Sequence, residues 1–222
     1  GGYLPLPLVD GATLTYARFL RDYALPRQPC IITDVGREWA ATSWSVPYLE
    51  QHPGVNLSHR VQMAQGPPES AKEEGTTVGK ALETVRTRAA AGSDPPCYLS
   101  AWDYVRGGSG ALQDDFSVPR YFERAPAWLA SHLVLGNTET DMKWLYIGTR
   151  GAGSATHVDT NLSSAWLWVA QGRKEWVCAH GGDHELLTRG TGDRAFGYKD
   201  DGSGGDDDDS VPLPDLFADD LF

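Results

Sequence analysis

The hydrophobic positions in the first quarter of the chain predict two helices separated by a strand. Aromatic and aliphatic side chains recur at i, i+3, i+4 and i+7 from Tyr16, which predicts a helix over Thr13–Tyr23 that Pro26 ends. The apolar, β-branched run "PCIITDV" that follows predicts a buried strand. "SVPYLEQHPG" then predicts a short helix closed by its Pro-Gly pair.

The middle of the chain has a weaker pattern. The composition of "GPPESAKEEGTT" (Gly66–Thr77) is typical of a loop, and a helix is predicted over Val78–Ala89 after it. "CYLSAWDY" (Cys97–Tyr104) predicts a strand, and "GGSG" beyond it predicts a turn.

From Lys143 onward the pattern changes to closely spaced short strands. "KWLYIG", "ATHVD", "SSAWLWVAQ" and "KEWVCA" are aromatic and β-branched, and Gly or polar turns separate them. Such spacing favours an antiparallel sandwich or barrel over βαβ units. Residues 200–210 are acidic and glycine-rich, which predicts a charged loop, and "PDLFADDLF" predicts a final helical turn.

Composition and charge exclude several classes of protein. A hydrophobic content of 41% is normal for a globular domain, and no apolar run approaches the roughly 18 residues of a membrane span. The net charge of −11 disfavours a nucleic-acid binder, which needs a basic face, and suits a basic protein partner. Three cysteines far apart, with no C-x-x-C pair, indicate a reducing compartment, that is, the cytoplasm or the nucleus.

His157 and Asp159 form the first candidate for chemistry. On a strand, residues two apart point to the same face, so an imidazole and a carboxylate lie side by side. These are two of the three ligands of a 2-His-1-carboxylate site, which binds Fe(II) and leaves positions open for a bidentate co-substrate and O₂. A sequence of this composition contains roughly one such H-x-[DE] pair by chance, so a histidine without a ligand role is the alternative.

Lys174 is the second candidate. If Gln171 and Gly172 form a hairpin turn, Lys174 projects from an otherwise apolar face with Val169 and Trp176, whereas Glu175 points the other way. A lysine on an apolar face needs an anion, and a ligand carboxylate would supply it. The alternative is a lysine that extends into solvent at the end of a strand. By the same register, Trp166 and Trp168 face away from Lys174 and are assigned to packing.

The stretch Leu145–Trp176 resembles the core of the JmjC family, Fe(II)- and 2-oxoglutarate-dependent oxygenases on a double-stranded β-helix. The similarity is closest to the small JmjC protein hydroxylases, and "CYLSAWDY", "DDFSVPRYF" and the N-terminal "YARFLRDYALPRQPCIITDV" are also similar to that branch. The residues that carry the motif are Gly151 and Gly153, then His157 and Asp159, then Trp166, Gly172, Lys174 and Trp176. The resemblance implies a mainly β domain with flanking helices, an α+β jelly-roll or cupin-like fold. Its core would span residues 143–222, with residues 1–142 packed on it.

The resemblance also implies a role for each candidate residue. His157 and Asp159 would be Fe(II) ligands and catalytic residues, and Lys174 would pair with the distal carboxylate of 2-oxoglutarate. Ser154 and Tyr98 would donate hydroxyl hydrogen bonds to the same carboxylate. A buried carboxylate does need a cation and several donors. A core tyrosine and a turn serine are the alternatives for these two residues.

One expected ligand has no counterpart in the sequence. The family's third ligand is a histidine several strands downstream, in a sequence similar to "FVPSGWxH", and none occurs before Phe222. His180 and His184 follow Asp159, but we assign them to the loop after the last strand. Either the domain continues past Phe222, with its last strands outside this sequence, or the protein is a relative without catalytic activity. Exposed strand edges would make a natural end at Phe222 unfavourable.

The resemblance favours an oxygenase that hydroxylates a protein side chain, with lysine first among the targets. JmjC demethylation is an alternative, although the additional reader or zinc modules typical of demethylases are not visible in this sequence. Hydroxylation of a tRNA base is disfavoured by the negative charge. A catalytically inactive binding or scaffold domain is the alternative from another class, and it would have no need for Lys174 opposite an iron pair.

Overall fold

Short helices and strands alternate along the chain, and a mainly antiparallel sheet connects its two halves. The computed structural model describes residues 4–92, 94–122, 143–159 and 164–179. Within them the elements are β1 (Leu8–Asp10), α1 (Tyr16–Phe19), β2 (Ile31–Thr33), α2 (Val46–Gln51), β3 (Arg60–Gln65), β4 (Lys72–Thr77), α3 (Val78–Ala91), β5 (Cys97–Trp102) and β6 (Leu145–Gly148). None of the helices in these ranges is long and apolar enough to cross a membrane.

The N-terminal elements form a second, smaller hydrophobic cluster together with Tyr121. β1 and β2 pair in parallel, with Val9 opposite Ile32, and α1 connects them. The Thr15 hydroxyl caps α1 by accepting from the backbone N–H of Arg18, and after Phe19 the helix widens into a π-helical turn over Leu20–Ala24. The predicted helix and strand are therefore confirmed, although each regular element is shorter than its pattern. The prediction that the strand is buried is wrong, because β2 lies in a sheet of only two strands, where Ile31 is exposed and Ile32 is partly buried.

Side-chain caps also fix the two later helices. Ser45 accepts from the backbone N–H of Tyr48 at the start of α2, and Thr77 accepts from that of Lys80 at the start of α3. Gly92 ends α3 in the left-handed conformation, at φ 100°, where a side chain would be strained. Both predicted helices are confirmed.

The prediction of a loop over Gly66–Thr77 is wrong in its second half. Lys72–Thr77 is strand β4, which pairs antiparallel with β3 so that Glu74 lies opposite Met63. β4 is an edge strand in the order β4-β3-β5-β6 and its side chains are polar on both faces, so no hydrophobic pattern in the sequence reveals it. The predicted "GGSG" turn is confirmed, because Gly108, at φ 77°, breaks the helical conformation within the segment Val105–Ser109, just before the helical segment Gly110–Asp115.

Of the four strands predicted after Lys143, only the first is formed within the described residues. β6 pairs antiparallel with β5, whereas the described residues of "ATHVD", "SSAWLWVAQ" and "KEWVCA" are in no strand. They keep the alternation of an extended chain: Trp166 and Trp168 pack towards the core while Leu167 and Val169 are exposed. A strand requires a backbone partner as well as this alternation, and the described residues provide none there.

The core lies on one face of the four-stranded sheet, beneath α3. Leu82 of α3 packs in one cluster with Met63 of β3 and Leu99 of β5. The predicted packing role of the two tryptophans is confirmed, because Trp168 lies 5.3 Å from Trp39 and Trp166 stacks on Phe122 at 5.8 Å between ring centroids. The opposite face of β5 and β6 is free of this cluster and carries the candidate site.

The Leu82→Ala substitution tests this core. Leu82 is fully buried, so its truncation leaves a cavity and should lower the free energy of unfolding by about 2–5 kcal/mol. Glu83→Ala is the control, because Glu83 is exposed on the same helix and its loss should change stability by less than about 0.5 kcal/mol. Urea unfolding of the two variants gives the comparison, and equal stabilities would contradict the assigned core.

Candidate active site

Tyr98 and Gly148 define the floor of the candidate site. They are direct partners across β5 and β6, and Tyr98 is buried although it lies outside the main core cluster. A Cβ at position 148 would come within 2.7 Å of the Tyr98 ring and 2.9 Å of the Ala152 Cβ. The glycine therefore provides the space in which the ring lies flat across the neighbouring strand.

Lys174 approaches Tyr98 from a segment 76 residues later in the chain. Its Nζ donates a hydrogen bond of 2.8 Å to the Tyr98 Oη. Three ring centroids surround the ammonium, those of Tyr98 at 5.4 Å, Tyr146 at 5.1 Å and Trp176 at 5.2 Å. These contacts place Lys174 and Trp176 on one side of the chain, as the sequence pattern predicted. The chain bends just before them, at Gln171 and Gly172, and Gly172 has φ 86°.

The environment of Lys174 disfavours its charge. Burial lowers the pKa of the ammonium below its ordinary value. Within the described ranges no carboxylate forms an ion pair with Nζ, so neutral oxygen and aromatic faces are its partners. A partly buried ammonium without a carboxylate partner is stabilised when an anion binds next to it.

Ser154 completes the polar group around Tyr98. Burial raises the pKa of the Tyr98 phenol to about 12, and a hydrogen bond with Ser154 opposes part of that rise. The phenol therefore stays protonated throughout the physiological range. The structure thus places Lys174 and Ser154 next to Tyr98, so the three residues that the family resemblance assigns to one group lie close together.

His157 and Asp159 lie side by side at the other end of the site. Nε2 of His157 is 3.2 Å from Oδ1 of Asp159, and both side chains are about half exposed. Nδ1 of His157 donates a 2.7 Å hydrogen bond to the carbonyl oxygen of Ala155, because a carbonyl can only accept. This bond fixes the ring and its tautomer, so that Nε2 on the side of Asp159 is the nitrogen that could ligate a metal.

The described residues contain only this pair as metal-ligand candidates in the site. No group of three or more His, Cys, Asp or Glu side chains occurs within the described ranges at a spacing that could hold a metal ion. His180 and His184, and the acidic loop at 200–210, lie outside the described residues.

Tyr146 is a site residue that the sequence reasoning missed. It lies two positions before Gly148 on β6 and so shares the face of Tyr98, and its ring is 6.1 Å from that of Tyr98. The alternation of β6 held the necessary signal, because Leu145 and Ile147 pack on the core cluster and Tyr146 must point away. The alternation alone does not show that Tyr146 lies beside Tyr98; that requires knowing that β5 is the partner of β6.

Comparison with known families gives one extensive match. A family model described as a cupin-like domain matches residues 16–211. The match confirms the predicted fold class, a mostly antiparallel cupin-like domain with a few helices.

Three curated relatives illustrate the range of similar proteins. The bifunctional arginine demethylase and lysyl-hydroxylase psr-1 of Caenorhabditis elegans is 29% identical over 172 residues, which are 76% of this chain and 40% of that protein. The arginine-specific demethylase JMJ22 of Arabidopsis thaliana is 30% identical, over 72% of this chain and 28% of that protein. The 2-oxoglutarate and iron-dependent oxygenase JMJD4 of Mus musculus is 26% identical, over 78% of this chain and 43% of that protein. The chain spans less than half the length of each.

The Gly148→Ala substitution tests the contact between the two strands. The added Cβ should displace the Tyr98 ring and lower the free energy of unfolding by about 1–3 kcal/mol. It should also break the hydrogen bond between Lys174 and Tyr98, so the pKa of Lys174, followed by NMR of its side chain, should change. Gly110→Ala is the control, since a Cβ there meets nothing within 4 Å. Equal effects of the two substitutions would show that the space at Gly148 is not required.

Proposed function

The chain belongs to the cupin-like domain family, and we propose that it is the catalytic region of an Fe(II)- and 2-oxoglutarate-dependent oxygenase that hydroxylates a protein side chain. The observation that carries the proposal is the pairing of two groups in one site. One is the His157–Asp159 pair, and the other is the desolvated Lys174 with its hydroxyl neighbours. Relatives in this family are named as oxygenases that depend on iron and 2-oxoglutarate, which agrees with this reading.

We assign His157 and Asp159 as two iron ligands. Two ligands at right angles, each ~2.1 Å from one ion, lie about 3.0 Å apart. The 3.2 Å between Nε2 and Oδ1 fits this separation, and the bond from Nδ1 to Ala155 leaves Nε2 free to ligate. The third ligand of such a site is not among the described residues, where no three-residue group occurs.

We assign Lys174, Tyr98 and Ser154 as the group that binds the distal carboxylate of 2-oxoglutarate. An ammonium with a lowered pKa and no carboxylate partner among the described residues favours an incoming anion. The hydroxyls of Tyr98 and Ser154 lie beside it and can satisfy further lone pairs of the carboxylate. A charge-assisted bond from Nζ would orient the co-substrate, and the aromatic rings of Tyr146 and Trp176 lie beside the ammonium at 5.1 and 5.2 Å.

Iron and 2-oxoglutarate supply the oxidative chemistry when they are bound, with O₂ as the oxidant and succinate and CO₂ as products. The chain's own residues hold and orient these groups. His157 keeps a proton on Nδ1 and donates it in a hydrogen bond to the Ala155 carbonyl oxygen. Lys174, which donates to the Tyr98 hydroxyl in the structure, would donate from Nζ to the carboxylate of the co-substrate. Tyr98 stays neutral because burial raises its pKa to about 12.

The substrate is proposed to be a protein side chain, with lysine as the first target. Relatives are named for lysyl hydroxylation and for arginine demethylation, so demethylation is the second candidate function. Both reactions oxidise a C–H bond of a basic side chain. In lysyl hydroxylation this bond belongs to a side-chain methylene group, and in arginine demethylation it belongs to a methyl group on nitrogen. The net charge of −11 suits a substrate with a basic segment.

Two further assignments accompany this function. We propose that residues 1–142 form a segment that packs on a core at 143–222, and the pairing of β5 with β6 across that boundary supports it. We place the protein in a reducing compartment, the cytoplasm or the nucleus. The three cysteines are free thiols, which agrees with that placement.

The Asp159→Ala substitution tests the ligand pair. Loss of one carboxylate ligand should weaken the binding of Mn²⁺, a stand-in for Fe(II), by at least about 100-fold. Glu175→Ala is the matched control, because Glu175 is an exposed carboxylate that pairs with Arg173 instead of His157. Isothermal titration calorimetry measures both variants, and unchanged affinity of Asp159→Ala would reject the ligand role.

The Lys174→Ala substitution tests the carboxylate anchor. Loss of the cation should weaken 2-oxoglutarate binding by about 10- to 100-fold, whereas Arg173→Ala, which removes an exposed neighbouring cation, should not.

The pH dependence of binding gives a second measurement on the same lysine. Because burial lowers the pKa of Lys174, the ammonium is lost at a lower pH than for an ordinary lysine. The wild-type affinity should therefore fall as the pH rises through that pKa, and it should be retained below it. Lys174→Arg keeps its charge at every pH and should not show the fall. A pH-independent wild-type affinity would contradict the anchor.

A further inference from the structure

We propose that Thr149 is a positioning residue of this site, and that its hydroxyl fixes the point at which the chain leaves β6 and turns towards His157 and Asp159. The consequence for metal binding rests on the proposed function. Thr149 acts through the backbone that it holds, beside Tyr98 on one strand and ahead of the ligand pair along its own chain.

Thr149 continues the pairing of β5 with β6 by one residue. Gly148 lies opposite Tyr98, so the next pair in the same register is Thr149 with Cys97. The backbone N–H of Thr149 donates a 3.1 Å hydrogen bond to the carbonyl oxygen of Cys97. Two residues joined in this way across an antiparallel ladder normally exchange both bonds, so the Cys97 N–H would be expected to donate to the Thr149 carbonyl.

The Thr149 hydroxyl takes the place of that carbonyl. The Cys97 N–H donates to Oγ1 of Thr149 at 3.1 Å. The Thr149 carbonyl oxygen accepts instead from the Ala152 N–H, also at 3.1 Å, which closes a four-residue turn. Gly151, the third residue of that turn, has φ 79°, a value that such turns reserve for glycine. One residue therefore completes the ladder and begins the turn.

Burial makes this exchange of partners necessary. Cys97 is fully buried and Thr149 is also buried, so a Cys97 N–H without an acceptor would be costly. Without the hydroxyl, the acceptor that residue 149 can still offer is its carbonyl oxygen. A carbonyl that turned towards Cys97 would extend the ladder by one bond and release the Ala152 N–H, so the chain would leave the sheet along another path.

Both neighbours of this hydrogen-bonded junction lead directly to the site. Cys97 precedes Tyr98, whose hydroxyl accepts from Lys174 at 2.8 Å. On the other strand, Ala152 begins a stretch that reaches His157 five residues later, and residues 152–159 are in no helix or strand. A stretch without regular structure depends for its path on the turn that precedes it. The Thr149 hydroxyl thus relates the strand of the carboxylate anchor to the segment of the ligand pair.

Three variants separate the hydroxyl from the shape of the side chain and from general stability. Thr149→Val removes the hydroxyl and keeps the branched shape, whereas Thr149→Ser keeps the hydroxyl. Thr33→Val is the matched control, because Thr33 is a strand threonine whose hydroxyl also bonds a backbone group, the carbonyl of Val9 in the β1–β2 sheet. Two measurements follow, hydrogen exchange of the Ala152 amide by NMR and calorimetric titration with Mn²⁺. Both are made at a temperature at which circular dichroism shows every variant folded.

In Thr149→Val the Ala152 amide should exchange at least about tenfold faster than in the wild type, because it loses its acceptor. Mn²⁺ should bind about 10- to 100-fold more weakly, the usual effect of losing a group that orients metal ligands from outside the coordination sphere. Thr149→Ser and Thr33→Val should keep both values within about threefold of the wild type.

A Thr149→Val variant that is less stable but exchanges Ala152 and binds Mn²⁺ like the wild type shows a structural role alone and overturns the inference. A Thr149→Ser variant as impaired as Thr149→Val also overturns it. A wild-type protein that binds no Mn²⁺ overturns the proposed function instead. The exchange of Ala152 then decides the role of Thr149 by itself, and an unchanged rate in Thr149→Val rejects that role.

Discussion

The arrangement of the site depends on one incompletely compensated charge. Lys174 holds an ammonium where burial disfavours it, and a single hydrogen bond to a neutral phenol is its polar contact in the described residues. The Tyr98 ring lies against Gly148, where any side chain would collide with it, and β5 is in turn fixed by the core beneath α3. The fold therefore places a cation in a partly desolvated position. The binding of an anion there would offset the free-energy cost of desolvating the ammonium, which arises when the protein folds.

The alternation of side chains made much of the site predictable. An extended chain places residues two apart on one side whether or not it is hydrogen-bonded into a sheet. His157 and Asp159 are therefore neighbours, Lys174 and Trp176 share a side, and Trp166 and Trp168 face the core, although these segments form no strand within the described residues. The helices were predictable for a similar reason, because capping and periodicity are local properties of the sequence.

Features that depend on a distant partner were not predictable from pattern alone. β4 was missed because its side chains are polar on both faces, and only the backbone of β3 makes it a strand. The prediction of strands after β6 was wrong for the converse reason, since the apolar alternation is present there but the described part of the chain offers no backbone partner. Tyr146 was missed because its position beside Tyr98 depends on the register between β5 and β6, and the sequence of one strand does not determine that register. The grouping of Tyr98 with Lys174 came from family resemblance, since local spacing cannot relate residues 76 positions apart.

The polar edge strand has a consequence for how the protein behaves at high concentration. β4 presents an unpaired row of backbone groups at one side of the four-stranded sheet, among the residues described here. Lys72, Glu73 and Glu74 line that row with exposed charge. A second molecule that added its own strand there would bring like carboxylates together and desolvate them, so intermolecular sheet extension is disfavoured. The same charges that hid this strand from the hydrophobic pattern thus protect the molecule against aggregation through it.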